Sequence, residues 1–260
     1  MPRQREDSNE KKRIQAVQTT LDIIEVLREN SGAGVTEIAR ELDVTKGTVH
    51  NHLATLEAND YVIKDADETY HLGLRFLDVA HQAKSRISTL DIARTEVDKL
   101  AERSGETALF TVEEHGVGVC LYVEYGERAV QTPLHVGYRS ELHHTAVGKA
   151  ILAHLPEGRV EGIVDERGLA QQTDRTITDT DDLFETLEAV RERGIAYNEG
   201  ETIQGLVGVG APVTDQSGTV LGALSVIGPA SRMGEDRLRG DLSEMIRQNA
   251  NVIEINHTSL

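Results

Sequence analysis

The sequence predicts an α+β protein with an N-terminal winged helix-turn-helix domain, a helical linker and a C-terminal α/β domain. Three observations carry this reading. Apolar residues recur at helical spacing from Ile14 to about Ala58, and a short hairpin signal follows them. A second helical stretch then runs to a break at Gly105. Beyond Gly105, β-branched runs alternate with helical ones. The 260-residue length suits two domains. Residues 1–12 (MPRQREDSNEKK) read as a frayed polar tail, and the expected boundaries are 13–73 for the winged domain, 74–104 for the linker and dimerisation, and 105–260 for the remainder.

The first helix is expected from Ile14, with Val17, Leu21, Ile24 and Leu27 on its apolar stripe and Asn30-Ser31-Gly32 as its stop. "TEIAREL" gives a second helix, with Thr36 as its N-cap and Ile38 and Leu42 inward. Thr45 caps a third helix. "YVIKDADETYHLG" reads as two strands around Asp65-Ala66-Asp67-Glu68, closing at Gly73. Helix, helix, turn, helix and hairpin together make a winged helix-turn-helix pattern. In the linker Leu74, Leu77, Ala80, Lys84 and Ile87 form a stripe, and Ser88-Thr89 opens a helix reaching Ser104. Then "TALFTVEEHGVGVCLYVEY" and "RAVQTPLHVG" read as strands, and "TAVGKAILAHL" as a helix opening at Thr145. A further helix spans 179–193, with Leu183, Leu187 and Val190 inward. "GIAYNEG", "LVGVGAPVTD" and "TVLGALSVIGP" read as strands, and an amphipathic helix covers about 235–252.

The chain carries 44 Asp plus Glu against 27 Lys plus Arg, a formal net charge of −17. Such acidity suits a solubilising surface, or an organism with a salt-rich cytoplasm such as a halophilic archaeon. It does not by itself favour nucleic acid. Against it stands "VTKGTVHNHLATL", residues 44–56, without one carboxylate. Val49, Leu53 and Leu56 share one face of that helix. Lys46, Thr48, His50 and Asn51 are left outward near its start, where a helix-turn-helix puts its base-reading residues. Lys and Asn bond base edges, Thr a base or phosphate, and the helix end attracts phosphate. The expected DNA-contacting set is therefore Thr36, Thr45, Lys46, Thr48, His50 and Asn51. Arg13 and the wing residues Lys64, Tyr70 and His71 would add backbone or minor-groove contacts. His52, beside Val49 and Leu56, reads as packing.

Cys120 is the only cysteine, which excludes an internal disulfide and fits a reducing cytoplasm. No apolar run approaches the length of a membrane span, so a cytoplasmic chain without a membrane partner is expected. There is no GxSxG, no Walker loop and no GxGxxG after a strand, and no enzyme is expected. His115, Cys120, His135, His143, His144 and His154 fall in one domain, which leaves a metal-sensing regulator as the alternative. No pair among them has a firm ligand spacing, and no metal or other cofactor is assigned. Thr145, directly after His143-His144, opens a helix whose free N–H groups near Ala146 and Val147 would accept a carboxylate, and Ser225 could add a hydroxyl. The same residues also read as an ordinary cap and an ordinary strand position.

"VTEIARELDVTKGTVHNHLATLEANDYVIKDADETYHLGLRFL" resembles the DNA-binding domain of IclR-type transcriptional regulators. "LHHTAVGKAILAHL" and "RGIAYNEGETIQGLVGVGAPVTDQSGTVLGALSVIGPASR" resemble two signature stretches of that family's effector domain. The resemblance runs in register over nearly the whole chain from Ile14. It implies a winged-helix domain, a helical linker used in dimer formation and a GAF-like α/β domain that binds a small metabolite. The linker stripe and a two-fold double-stranded DNA operator suit a homodimer or dimer of dimers, and the helix start at Thr145 suits an organic or sugar-derived acid. The resemblance also implies an effector pocket at Ser140, Thr145, Ala146, Val147, Asn198, Leu206, Gly208 and Ser225, to which the position of His143 adds a flank. Three positions depart from the family pattern. Asn51 stands where Arg is frequent, which shifts the expected reading from guanine toward adenine. Asp22 stands where many members carry Arg, and Gly208 where some have a pocket Cys.

Overall fold

The structure, a computed structural model, describes residues 14–258; Arg13 and the tail at 1–12 lie outside the described residues. The chain divides into two compact units, one ending at Ala83 and one beginning at Lys84.

In the first unit, α1 (Gln15–Glu29), α2 (Val35–Glu41) and α3 (Lys46–Ala58) precede the antiparallel strands β1 (Val62–Lys64) and β2 (Tyr70–Leu72). Ile23, Val26, Leu27, Ile38, Val49, Leu53 and Leu56 form its core, so α3 buries the face its spacing predicts. The α1 stripe differs from the expectation. Thr19, Ile23, Val26 and Leu27 are buried, while Ile14, Val17 and Leu21 are 70%, 54% and 52% exposed. The stripe thus holds at its C-terminal end, where Leu27 joins the core and Ile24 packs against it, while Ile14, Val17 and Leu21 are left outside. Thr36 is no cap either: α2 starts at Val35 after Gly34, with no side-chain bond at its N-terminus, and Thr36 is exposed within the first turn. Tyr70 also departs from the wing role given it. Its backbone exchanges two 3.0 Å bonds with Ala33, and its ring is 4% exposed in the core. It holds the wing down rather than reaching outward.

Of the stretch 74–104 read as linker, α4 (Arg75–Ser85) has no buried residue. The next helix, α5 (Leu90–Ser104), instead supplies Ala93, Val97, Leu100 and Ala101 to the core of the second unit. That unit is built on a six-stranded antiparallel sheet. Its strands are β3 (Thr107–Glu114), β4 (Val117–Tyr125), β5 (Arg139–Glu141), β6 (Ala196–Asn198), β7 (Leu206–Thr214) and β8 (Val220–Pro229), ordered β5-β4-β3-β8-β7-β6. Three helices, α6 (Ala146–Leu152), α7 (Glu157–Arg167) and α8 (Thr180–Arg193), build a core with Leu142, Ala196 and Ala223. The C-terminal segment runs through α9 (Glu235–Arg237), a π turn at Leu238–Leu242 and α10 (Ser243–His257). Together with α5 it packs on the opposite sheet face, around Phe110, Val209 and Leu224.

Two segments of this unit differ from the expectation. "RAVQTPLHVG" is not a strand: residues 126–138 cross irregularly from β4 to β5. Pro133 lacks a ladder donor, and the Tyr125 hydroxyl pins the crossing by donating to the Leu134 carbonyl at 2.7 Å. Helix α7 went unread because Gly158 and Gly162 dilute its pattern to two buried apolar residues, Val160 and Ile163.

Candidate functional site

Two regions carry the residues singled out, one in each unit. In the first, the Thr45 hydroxyl accepts from the Thr48 N–H at 3.1 Å and caps α3. The two threonine hydroxyls also lie 2.9 Å apart, so both are partly committed to the cap. Lys46, His50 and Asn51 are exposed, and no acidic residue lies in the first turn. His52 packs as expected, with Nδ1 2.8 Å from Thr20 Oγ1. In the wing, Lys64 pairs with Glu68 at 2.6 Å. His71 is held between the Ser31 carbonyl at 3.0 Å and Asp65 Oδ2 at 3.1 Å, and both contacts raise its pKa, the Asp65 bond most. The outward face of α3 thus remains free for a ligand, while the wing side chains are internally engaged.

In the second unit, a recessed cavity of ≈ 80 Å³ lies between the sheet, the start of α6, the 126–138 crossing and the segment after β6. Seven of the residues expected there line it: Ser140, Thr145, Ala146, Val147, Asn198, Leu206 and Ser225. Two do not. His143 is 3% exposed and donates from Nε2 to the Ala170 carbonyl at 3.1 Å, turned into the fold by the chain reversal before α6. Gly208 stands on β7 between Leu206 and Gly210 but forms no wall; a Cβ there would meet Ile227 Cγ2 at 2.8 Å. The remainder of the lining is outside the expected set. It comprises Leu109, Thr111, Cys120, Thr132, Pro133, Leu134, Tyr138, Thr202, Ile203, Val207 and Ile227. Residues 107–111 are all buried, so no alternation in β3 singles out Leu109 and Thr111.

Thr145 places the helix start. Its hydroxyl accepts from the Gly148 N–H at 3.0 Å, and the N–H groups of Ala146 and Val147, the first two helical positions, have no acceptor within the helix. Strand β7 passes close beneath them, since a Cβ on Gly210 would lie 2.9 Å from the Ala146 carbonyl. One turn on, Lys149 bonds both carboxylate oxygens of Glu201, and both residues are buried. Burial lowers the Lys149 pKa and raises that of Glu201 against their mutual attraction. Glu201 N–H donates to Asn198 Oδ1 at 2.9 Å, and Asn198 Nδ2 to Thr202 Oγ1 at 2.8 Å. The ion pair and the cavity wall are one connected network.

The metal alternative finds no support in this geometry. Among the described residues no three His, Cys, Asp or Glu side chains cluster to hold an ion. His135 Nδ1 and His154 Nδ1 each bond a backbone carbonyl, and His115 sits in the β3–β4 turn. Cys120 is buried, and burial raises its thiol to about 11.

A helix-turn-helix unit joined to a unit with a small-molecule cavity defines a class of DNA-binding regulators. Within that class, the chain belongs to the IclR family of transcriptional regulators, not to an enzyme family. Residues 16–66 match the IclR helix-turn-helix domain, and residues 81–255 match the domain described as bacterial transcriptional regulator IclR C-terminal. The chain is 36% identical over 252 residues to the protein named Probable HTH-type transcriptional regulator ArcR of Halobacterium salinarum, covering 96% of each. Among solved structures it resembles the IclR transcriptional regulator of Alicyclobacillus acidocaldarius, with a TM-score of 0.78, 26% identity and coverage of 94% and 99%. It has the fold of an IclR homologue of Microbacterium hydrocarbonoxydans complexed with 4-hydroxybenzoate, with a TM-score of 0.81, 21% identity and coverage of 94% and 100%.

The buried histidines give this unit a pH signature. Burial, chiefly, holds the His144 imidazole down at about 4 against an ordinary 6.5, and moves His143 in the same direction. The unfolded chain binds a proton near 6.5 that folded His144 refuses until about 4. Its contribution to stability is therefore complete above 6.5 and drains as pH falls toward 4. The melting temperature should fall between about pH 7 and about pH 4.5, and His144→Gln should flatten that fall. Parallel curves for the two proteins would assign the pH dependence to other groups.

Proposed function

We propose that this regulator reads its operator as a dimer through α3, and that a small organic acid bound in the cavity alters operator affinity. The observation that carries the reading is the conjunction, in so acidic a chain, of a carboxylate-free exposed helix start with a recessed cavity. Lys46, His50 and Asn51 are the base or phosphate readers, with Thr45 and Thr48 in support and Thr36, Lys64 and His71 at the backbone. In the cavity a carboxylate would meet the Ala146 and Val147 N–H groups while Ser140, Asn198 and Ser225 line its surroundings. The 4-hydroxybenzoate held by the Microbacterium homologue is itself an organic acid.

Dimer formation is supported by two exposed apolar stripes in the first unit. One is Ile14, Val17 and Leu21; the other is Leu74 and Leu77, 81% and 67% exposed. Two-fold operators need two readers. Reading a chromosome assigns the protein to the cytoplasm, and no helix of the described residues is long and apolar enough to cross a membrane.

Three measurements test this function. On a duplex selected for tight binding, Asn51→Ala should cost about 1–3 kcal/mol and relax one base position. Lys46→Ala should weaken all sequences alike and shallow the salt slope by about one unit; unchanged gel-shift titrations for both variants would remove α3 from the interface. Light scattering should return the mass of a dimer or a tetramer, and a monomer at working concentration contradicts the assembly. A panel of short organic acids should contain members that raise the melting temperature and shift operator affinity by roughly 5- to 150-fold. Leu206→Phe, which fills the cavity, should abolish both effects; an undiminished response would locate the effector elsewhere.

A further inference from the structure

The polar side chains of the cavity differ in what they have left to offer. Ser225 donates its hydroxyl to the Val209 carbonyl at 2.8 Å, and Thr202 donates to the His144 carbonyl at 2.7 Å. Asn198 accepts from the N–H groups of Gly200 and Glu201, both at 2.9 Å, and gives its amide to Thr202. These groups hold the wall itself together. Two hydroxyls do not. The Oγ1 atoms of Thr111 and Thr132 are buried and have no hydrogen-bond partner, and both residues line the cavity.

Thr111 is 2% exposed and stands on β3 between β4 and β8, two residues beyond Leu109, which lines the same wall. Phe110 between them enters the core on the other face. Thr132 stands on the 126–138 crossing beside Pro133 and Leu134, both also in the wall. One hydroxyl is fixed in the sheet and the other sits on the irregular segment across the cavity. Among the lining residues there is no Lys, Arg, Asp or Glu. A buried hydroxyl left unbonded is a net cost to folding, and a β-branched aliphatic would serve both positions without that cost. Polar atoms placed at such a cost inside an uncharged wall are what a binding site uses to orient a ligand.

We propose that Thr111 and Thr132 read an oxo or hydroxyl oxygen of the effector, and so let the cavity tell an oxygenated short acid from its unsubstituted counterpart. The inference rests on the organic-acid reading of the same cavity. A threonine hydroxyl rotates freely enough to donate to a carbonyl or accept from a hydroxyl, so both oxygen types are served. A ligand bonded to both would also tie the 126–138 crossing to the central strand β3.

The test uses the full chain and matched acids differing by one oxygen function, pyruvate against propionate and 4-hydroxybenzoate against benzoate, by calorimetric titration and thermal shift. For the pair that binds, the oxygenated member should bind about tenfold tighter to the wild type. In Thr111→Val and in Thr132→Val that preference should fall to near parity, with the unsubstituted acid bound as before. Thr111→Ser, which keeps the hydroxyl, should keep the preference. Without ligand, Thr111→Val should melt at or above the wild-type temperature, which separates lost reading from lost folding. A preference that survives in both valine variants, or its absence from the wild type, overturns the proposal and leaves the organic-acid reading standing. If no acid of either pair stabilises the wild type, the organic-acid reading fails and this inference falls with it.

Discussion

A lysine and a glutamate buried together brace the Asn198 wall of the cavity. Lys149 extends from α6, and Glu201 lies in the segment that follows β6. Each alone would be a buried charge of several kcal/mol, and only their mutual bonds make the site tolerable. Removing one partner of such a pair typically costs about 3–5 kcal/mol, because the other is left uncompensated. The pair does more than cancel itself. The Glu201 carbonyl accepts from Thr176 at 2.7 Å and its N–H bonds Asn198, so the pair ties the segment carrying Thr202 and Ile203 to α6. An aliphatic pair would fill the same space without that tie.

Close backbone approach is the second requirement, and two glycines meet it. A Cβ on Gly148 would collide with the Leu142 carbonyl, and one on Gly210 would press on the Ala146–Val147 peptide. The glycine-rich run in β7 therefore brings a strand under a helix start. It is a packing device, and no phosphate cradle is needed to explain it. Thr145 then fixes the direction in which the helix leaves.

Much of this was legible in the amino-acid sequence, and the losses have physical causes. Thr45 and Thr145 announced α3 and α6 because a threonine cap is a local contact. The strand at 206–214 was readable from its turn-bounded apolar run. The cavity wall on β3 was not, since residues 107–111 are buried on both faces and show no alternation. Ile14, Val17 and Leu21 misled for the opposite reason: they continue the spacing of Ile24 and Leu27 but stay exposed. Tyr70 and His143 turn inward through tertiary contacts, with the Ala33 backbone and the Ala170 carbonyl, that the local pattern does not reveal.

The C-terminal helical segment lays Leu238, Leu242, Ile246 and Ala250 on the sheet at intervals of four. On a regular α-helix each such step drifts by roughly 40°, enough to carry a stripe off its partner within a few turns. The wider π turn at Leu238–Leu242 takes up more residues per turn and slows that drift, and the Ser243 hydroxyl, bonding the Leu238 carbonyl at 2.7 Å, satisfies a carbonyl within it. Length and identity are thus under different constraints here. An exchanged side chain perturbs one contact, whereas a single inserted or deleted residue would rotate everything downstream by about 100°. Among homologues this stretch should vary freely in letters and hardly at all in count.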